Sequence, residues 1–389
     1  MAKTVFEDDF VVGGSANNRL TPNFKIKEFT DTQGKIHIHR ELVAALQILR
    51  DTLGTPIAVK QLNPDAALEP SAKGTCIVVG NADPEGLAKA AGKLRREKYF
   101  ARVDAVGNDV YLEMPDPAKM PEIKPETAFD CGMQVTAAFE TSGDPYQQVT
   151  GNFDGAGLSF GPIQCNLGTG TLQELFRRFR GENEPLLRSC FGNNEADYAA
   201  FWKVLDGSRA SAVRWADGQS TGKTKHGFSQ PWKGYLEAVG REEVFRRAML
   251  RYAYDKYGKV LLSTISFMRG ISPVQVTNLR CLSALYDMGV QQGGFEKARS
   301  EIITRVFHEQ PTDEFALTRI VVEERAKKAS KRWRADCLSR RLGILDREPV
   351  RVSLDGEVAV RTNPRVYLLR NGPVGEIDAY LGESSDKVG

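Results

Sequence analysis

Four prolines, at 115, 117, 121 and 125, fall within eleven residues with charged side chains between them. Each ring fixes φ and removes a backbone donor, so no helix interior or central strand runs through such a stretch. Residues 115–128 therefore read as a semi-extended linker. It divides a chain of 389 residues, a length that calls for two or three folded domains, into parts of different pattern.

Ahead of the linker, residues 1–21 are polar and include Gly13-Gly14-Ser15-Ala16-Asn17-Asn18, which reads as a flexible arm. A compact α+β unit is expected over 22–114. Leu42, Leu46, Leu49 and Leu53 fall on one helical stripe with Gly54 as its stop. Pro56-Ile57-Ala58-Val59, Cys76-Ile77-Val78-Val79 and Val110–Met114 are strand-like, and Asp83-Pro84 caps a second helix. Beyond the linker the pattern is mostly helical: Met133–Glu140, Thr171–Phe179, Glu195–Leu205, Tyr235–Tyr257, Asn278–Gln291, Gly294–Val306 and Asp313–Arg341. Residues 346–389 alternate in short runs around Asp355-Gly356 and Asn371-Gly372, a β-rich tail with hairpin turns. The fold class expected is multidomain α+β, with a mainly α second domain over 129–345.

Composition excludes several functions. With 41% hydrophobic residues the chain is too apolar to be disordered, and 53 basic against 50 acidic residues leave a charge of only +3. A general nucleic-acid-binding field is not expected. No run approaches the roughly 18 apolar residues of a membrane helix, so no stable membrane insertion is expected. The first residues meet acid at Glu7 without an apolar stretch, so synthesis in the cytoplasm without a secretory signal is expected. Six scattered cysteines, without C-x-x-C spacing, read as buried reduced thiols. Four histidines make a His-rich metal site hard to build, and no metal or cofactor is expected.

Several motifs carry less than they promise. Gly218–Thr224 has three residues between its glycines where a phosphate-cradling loop needs four, and no strand feeds it. His37 and His39 alternate with Ile36 and Ile38 and read as a surface pair. Glu323–Arg341 carries eight basic and three acidic residues, the solvated face of a long helix.

The informative segment runs from Met133 to Phe179. A helix ends at Glu140, and glycines at 151, 155, 157 and 161 let the following backbone turn tightly and approach a ligand. Asp154 and Ser159 project from that platform, with Gln164 and Asn166 beyond. Cleavage of a glycosidic bond needs a protonated carboxylic acid and a second, ionised carboxylate across the sugar. An acid packed beside Phe139 is desolvated and its pKa raised, while one on a polar turn stays ionised. Glu140 and Asp154 suit those roles; a surface helix residue and a simple turn residue suit the same spacing. Asp144, in the intervening loop, is a further carboxylate in reach.

Helix-Glu followed by Gly151-Asn152-Phe153-Asp154-Gly155-Ala156-Gly157-Leu158-Ser159 resembles the active-site segment of lysozyme-like glycoside hydrolases. It is most similar to family 46 chitosanases and related peptidoglycan-cleaving proteins. The resemblance implies that Glu140 is the general acid, Asp154 the base, and Ser159 a holder of the attacking water. It extends to Leu285–Gly294 and Ser339–Leu345, and it implies substrate binding by Gln164, Asn166, Asp287 and Gln291. Ala156 stands where those chitosanases carry Arg, and Leu158 where they carry an aromatic residue. A different sugar partner follows, peptidoglycan rather than chitosan, with inversion and a carboxyl separation of about 6.5–9.5 Å.

Residues 24–29, the helix to Leu53 and Pro84–Ala88 resemble the zinc D-alanyl-D-alanine carboxypeptidase family. There the metal is held by S-x-H-x-x-G-x-A-x-D and a later H-x-D. Here Lys73 replaces the His, Val78 the Asp, and Tyr111-Leu112-Glu113 the second motif, so zinc binding is not expected, and what remains is either a groove shaped for wall peptide or a purely structural remnant. The two domains together resemble a phage lysin, acting at the bacterial wall on peptidoglycan or a related amino-sugar polymer. A chitosanase-type hydrolase and a non-catalytic wall-binding or virion structural protein are the alternatives.

Overall fold

The computed structural model describes residues 3–31, 33–62, 74–139 and 143–377, and they form two compact units. Unit 1 takes residues 1–124, 278–280 and 364–375; unit 2 takes the remainder.

Unit 1 is built on two antiparallel sheets. The first joins β1 (Val5–Glu7), β2 (Phe10–Gly13) and β3 (Ile38–His39). The expected flexible arm therefore contains a strand pair. Val11 pairs with Ile38 and is buried, and Phe10 packs against both His37 and His39. The histidines are not a surface pair either. His39 is buried, and its Nδ1 accepts the Glu41 N–H as N-cap of α1 (Arg40–Leu53), while His37 remains exposed. Gly54 closes α1 in the left-handed conformation, as its position predicts.

The second sheet has the order β4-β5-β7-β6, from β4 (Ala58–Leu62), β5 (Cys76–Gly80), β6 (Arg102–Val106) and β7 (Asp109–Glu113). Between β5 and β6 runs α2 (Pro84–Arg96), capped by Asp83 and opened by Pro84 as the sequence predicts. Ile77, Val79, Val110 and Leu112 join Leu42, Leu46, Leu87 and Leu94 in one core.

The expected linker is more ordered than its prolines suggest. Residues 117–119 form a short 3-10 turn, Ile123 bridges Val374, and Pro125 opens α3 (Pro125–Ala137). A proline at the first helical position costs nothing, because its N–H would have no intrahelical partner. The expected tail is divided: 351–360 belong to unit 2 and 364–375 to unit 1. There Tyr367 donates to Asp51 at 2.6 Å and the Asn371 N–H to Glu41 at 2.8 Å, so Asn371-Gly372 is no hairpin turn.

Unit 2 begins with α3. A three-stranded sheet, β10-β9-β8, is formed by β8 (Val149–Thr150), β9 (Ser159–Phe160) and β10 (Cys165–Asn166). Then come α4 (Thr171–Cys190), α5 (Glu195–Leu205), α6 (Arg209–Gln219), the hairpin β11 (Ser220–Thr221) and β12 (Gly227–Phe228), and α7 (Trp232–Val239). They are followed by α8 (Glu243–Ile271), α9 (Leu279–Gln292), α10 (Arg299–Glu309), α11 (Glu314–Lys327), α12 (Arg334–Asp346) and the hairpin β13 (Arg351–Leu354) and β14 (Glu357–Val360). Phe176 contacts Phe160, Phe179 and Phe201 in an aromatic core. Among the described residues no helix is long and apolar enough to cross a membrane.

The basic run 323–341 is not one solvated helix. It breaks between α11 and α12, and Arg325, Arg340 and Arg341 are buried. Arg325 donates to the carbonyls of Gly294 at 2.6 Å and Gln292 at 2.5 Å, clamping the end of α9.

Candidate active site

The glycine-rich segment forms a turn between β8 and β9. Gly151 admits no side chain, because a Cβ there would lie 2.4 Å from the Gly227 carbonyl and 2.5 Å from that of Lys225. The β11–β12 hairpin therefore seats directly against the turn, and the Gly151 N–H donates to the His226 carbonyl at 3.0 Å. Gly157 has φ +83°, a conformation that L side chains avoid.

Asn152 fastens the turn. Its Oδ1 accepts the Gly157 N–H at 2.7 Å, its Nδ2 donates to Asp217 at 2.6 Å, and its N–H donates to the Ser220 hydroxyl at 2.9 Å. Lys225 pairs with the same Asp217 oxygen at 2.5 Å. These bonds, from Lys225 first and Asn152 second, hold the Asp217 carboxyl below its usual range.

Asp154 sits exposed at the apex of this braced turn, with Oδ1 accepting the Ala156 N–H at 3.0 Å. Ser159 is 3% exposed on β9, opposite Thr150, so the two hydroxyl-bearing residues share one buried face behind the turn. Gln164 donates to the Gly161 carbonyl at 2.8 Å, and the Asn166 side-chain Oδ1 accepts from the N–H and hydroxyl of Thr169, both at 2.9 Å. Both side chains are engaged in the turn leading to α4 and lie partly exposed.

Asp144 is occupied. It caps the 3-10 turn at Pro145 through the Tyr146 N–H, accepts from Gln147 at 2.8 Å, and is paired with Arg246. Tyr146 donates in turn to Asp130, and burial first, then Asp130, pushes its phenol well above the usual range.

Glu140 lies outside the described residues. The expected helix ending at Glu140 is α3, which starts earlier and ends at Ala137. What surrounds its end is described. Arg340 donates to the Thr136 carbonyl at 3.1 Å, and its guanidinium lies 4.5 Å from the ring centre of Phe139. Arg361 donates to the Phe139 carbonyl at 2.7 Å. The residue directly before Glu140 is thus gripped by two guanidinium groups.

Asp287, expected to bind substrate, is corrected by its burial. It is 0% exposed, bonded to Arg340 at 2.7 Å with Arg341 3.5 Å from its other oxygen. A side chain with no open surface cannot touch a polysaccharide, so this carboxylate neutralises two buried cations. Burial pulls the Arg341 guanidinium below the usual arginine range, and Asp287 opposes that. Gln291 is exposed at the end of α9 and accepts from Arg341 at 3.3 Å.

Sequence reasoning missed the ion triad, although Arg340-Arg341 inside the apolar run Cys337–Leu345 signals it: adjacent arginines in a buried helix need an acid. It also missed Asn152 and Asp217, which lie 65 residues apart in the chain. In unit 1, Ser71 and Lys73 lie outside the described residues. Val78 is buried in β5, and Tyr111 donates to Glu113 at 3.2 Å on β7. Among the described residues no cluster of three His, Cys, Asp or Glu side chains is placed to hold a metal ion.

The sequence matches no known family profile and no curated protein. Solved structures similar to it include a mutant chitosanase from Bacillus subtilis complexed with 6 GlcN, at 15% identity and a TM-score of 0.37, covering 62% of this chain and 100% of that one. Another is a family 46 chitosanase from Gynuella sunshinyii in complex with chitotetraose, at 16% identity and a TM-score of 0.38, covering 60% of this chain and 97% of that one. With TM-scores below 0.5, these likenesses do not by themselves carry a common fold or activity over to this chain.

Proposed function

We propose that unit 2 is a glycoside hydrolase that cleaves the glycan strand of peptidoglycan, with Glu140 as general acid and Asp154 as general base. The observation that carries this reading is Asp154 itself: an exposed carboxylate on the apex of a turn braced by Asn152, Asp217 and Ser220. A base that activates water needs solvent access and a fixed position, and this turn supplies both. Asp144 is the poorer base, since Arg246 and Gln147 already occupy its Oδ2 and the Tyr146 N–H its Oδ1.

Glu140 follows Phe139, which is 8% exposed. Inversion is the outcome that fits a water-activating base, and Ser159, buried behind the turn, is proposed to support the turn and not to touch the attacking water. Unit 1 is proposed as a zinc-free wall-peptide-binding partner of this activity, in a protein that acts at the bacterial wall.

The test is clearing of purified Gram-negative sacculi by the wild type and by Glu140→Gln and Asp154→Asn. The first substitution keeps shape and removes the proton donor, and about a hundredfold loss of rate or more is expected. Product analysis on sacculi and on chitosan separates the two polymers. Binding to sacculi by folded wild type without clearing would replace this reading with a non-catalytic wall-binding one.

A further inference from the structure

The turn that carries Asp154 also presents an aromatic surface that the core does not use. Phe153 is 48% exposed, and its ring lies parallel to the imidazole of His226, with centres 4.2 Å and planes 18° apart. His226 is itself exposed in the β11–β12 hairpin. The backbone that carries the two rings is hydrogen-bonded across the turn. The Phe153 N–H donates to the Gly151 carbonyl at 2.9 Å, and the Gly151 N–H donates to the His226 carbonyl at 3.0 Å. The pair is a preset plate, adjoining the exposed carboxylate of Asp154 in the chain.

Leaving a phenyl ring half in water forgoes part of the stabilisation gained by burying one. A lone exposed apolar residue needs no explanation. A ring stacked on a second ring, braced by main-chain bonds and placed next to the proposed base, has a structure that suits a ligand. A pyranose offers an apolar C–H face with hydroxyls at its rim, and an aromatic ring carries a negative face that C–H groups approach favourably. Asp154 beside the plate disfavours phosphate-bearing ligands and accepts neutral or amino sugars.

We propose that Phe153, supported by His226, is the stacking platform of a sugar subsite next to Asp154, occupied by a pyranose of the amino-sugar polymer. The proposal rests on the glycan-hydrolase reading. Phe153 would bind sugar and take no part in proton transfer, so it acts on KM rather than on kcat. His226 is a positioning residue that holds the ring.

The test compares wild type, Phe153→Leu, Phe153→Trp and His226→Ala in sacculus clearing over a range of substrate concentrations. Binding of an N-acetylglucosamine hexamer to each variant in a Glu140→Gln background is measured alongside. Leucine keeps apolar bulk without a flat ring, so the contrast with tryptophan isolates stacking from folding. Phe153→Leu should raise KM about tenfold, equivalent to about 1.4 kcal/mol, with kcat unchanged, and Phe153→Trp should restore it. His226→Ala should give a smaller rise. Equal KM in wild type and Phe153→Leu overturns the platform while leaving the hydrolase reading intact. A wild type that neither clears sacculi nor binds the hexamer overturns the hydrolase reading, and the platform falls with it.

Discussion

Asp287 has no surface of its own, yet two guanidinium groups depend on it. Replacing it with alanine leaves both as uncompensated buried charges, an effect of about 3–5 kcal/mol. Asp287→Ala should therefore unfold at a much lower urea concentration than the wild type; a midpoint that stays put would show that the triad is solvated. Asn152→Ala tests the opposite kind of residue, one that braces without being deeply buried. It removes the bonds to Gly157 and Asp217, and a typical hydrogen bond contributes about 1 kcal/mol net. Sacculus clearing should fall steeply in Asn152→Ala while its far-ultraviolet circular dichroism stays native. Unchanged clearing would separate the brace from the activity. At this scale residue type was legible in the sequence and residue partnership was not. Asp154 reads as a turn acid because Gly155 follows it, but nothing near Asn152 in the chain announces Asp217.

Elements with a strong local start signal begin where the sequence places them, and others begin or end where tertiary contacts demand. The stripe in 42–53, the Asp83-Pro84 start and the helix 195–205 are all local signals, and all appear. Asp83→Ala should lower stability by about 1 kcal/mol, as loss of an N-cap does, measured by denaturant unfolding. The expected helix 235–257 is broken at Gly240 into α7 and α8. A Cβ on Gly240 would lie 2.3 Å from the Tyr146 carbonyl, so the chain yields there to a backbone that approaches from almost a hundred residues away. The break between α11 and α12 has no glycine or proline to mark it. There Arg334 donates to the Ala329 carbonyl at 3.0 Å across the break. The periodicity of 313–341 is helical throughout, which is why the sequence reads as one helix.

At the level of the whole molecule, residues 364–375 belong to the first unit, although they stand at the far end of the chain. Leu369 is fully buried there, and Tyr367 and Asn371 bond to Asp51 and Glu41 on α1. A chain ending at Asn363 should lose hydrogen-exchange protection in α1; protection at the full-length level would show that the segment is dispensable. Acid stability belongs to this scale as well. Lys328 first, then the Glu301 backbone, holds the Glu301 carboxyl down at about 2, and Arg305 holds Glu309 below its usual range. Both are depressed, so their stabilisation is complete above the ordinary carboxylate pKa and is lost as the pH falls through the lower folded value. Unfolding midpoints should be level from neutral pH to about 5 and fall below about 4.5, with a shallower fall in Glu301→Gln. A midpoint insensitive to acid would show that these pairs do not bind protons on unfolding.

The sequence by itself determined the helical and strand segments with strong periodicity, the caps at Asp83 and Gly54, and the glycine-rich turn presenting Asp154. These are decided within a few residues by backbone geometry and the spacing of apolar side chains. Only the tertiary structure decided that Asp287 is a buried counter-ion, that Asn152 is tied to Asp217, that Phe153 lies on His226, and that the tail is divided between the units. Those depend on which surfaces meet after the chain has folded, and a buried charge or a stacked ring finds its partner by proximity in space, which local sequence does not encode.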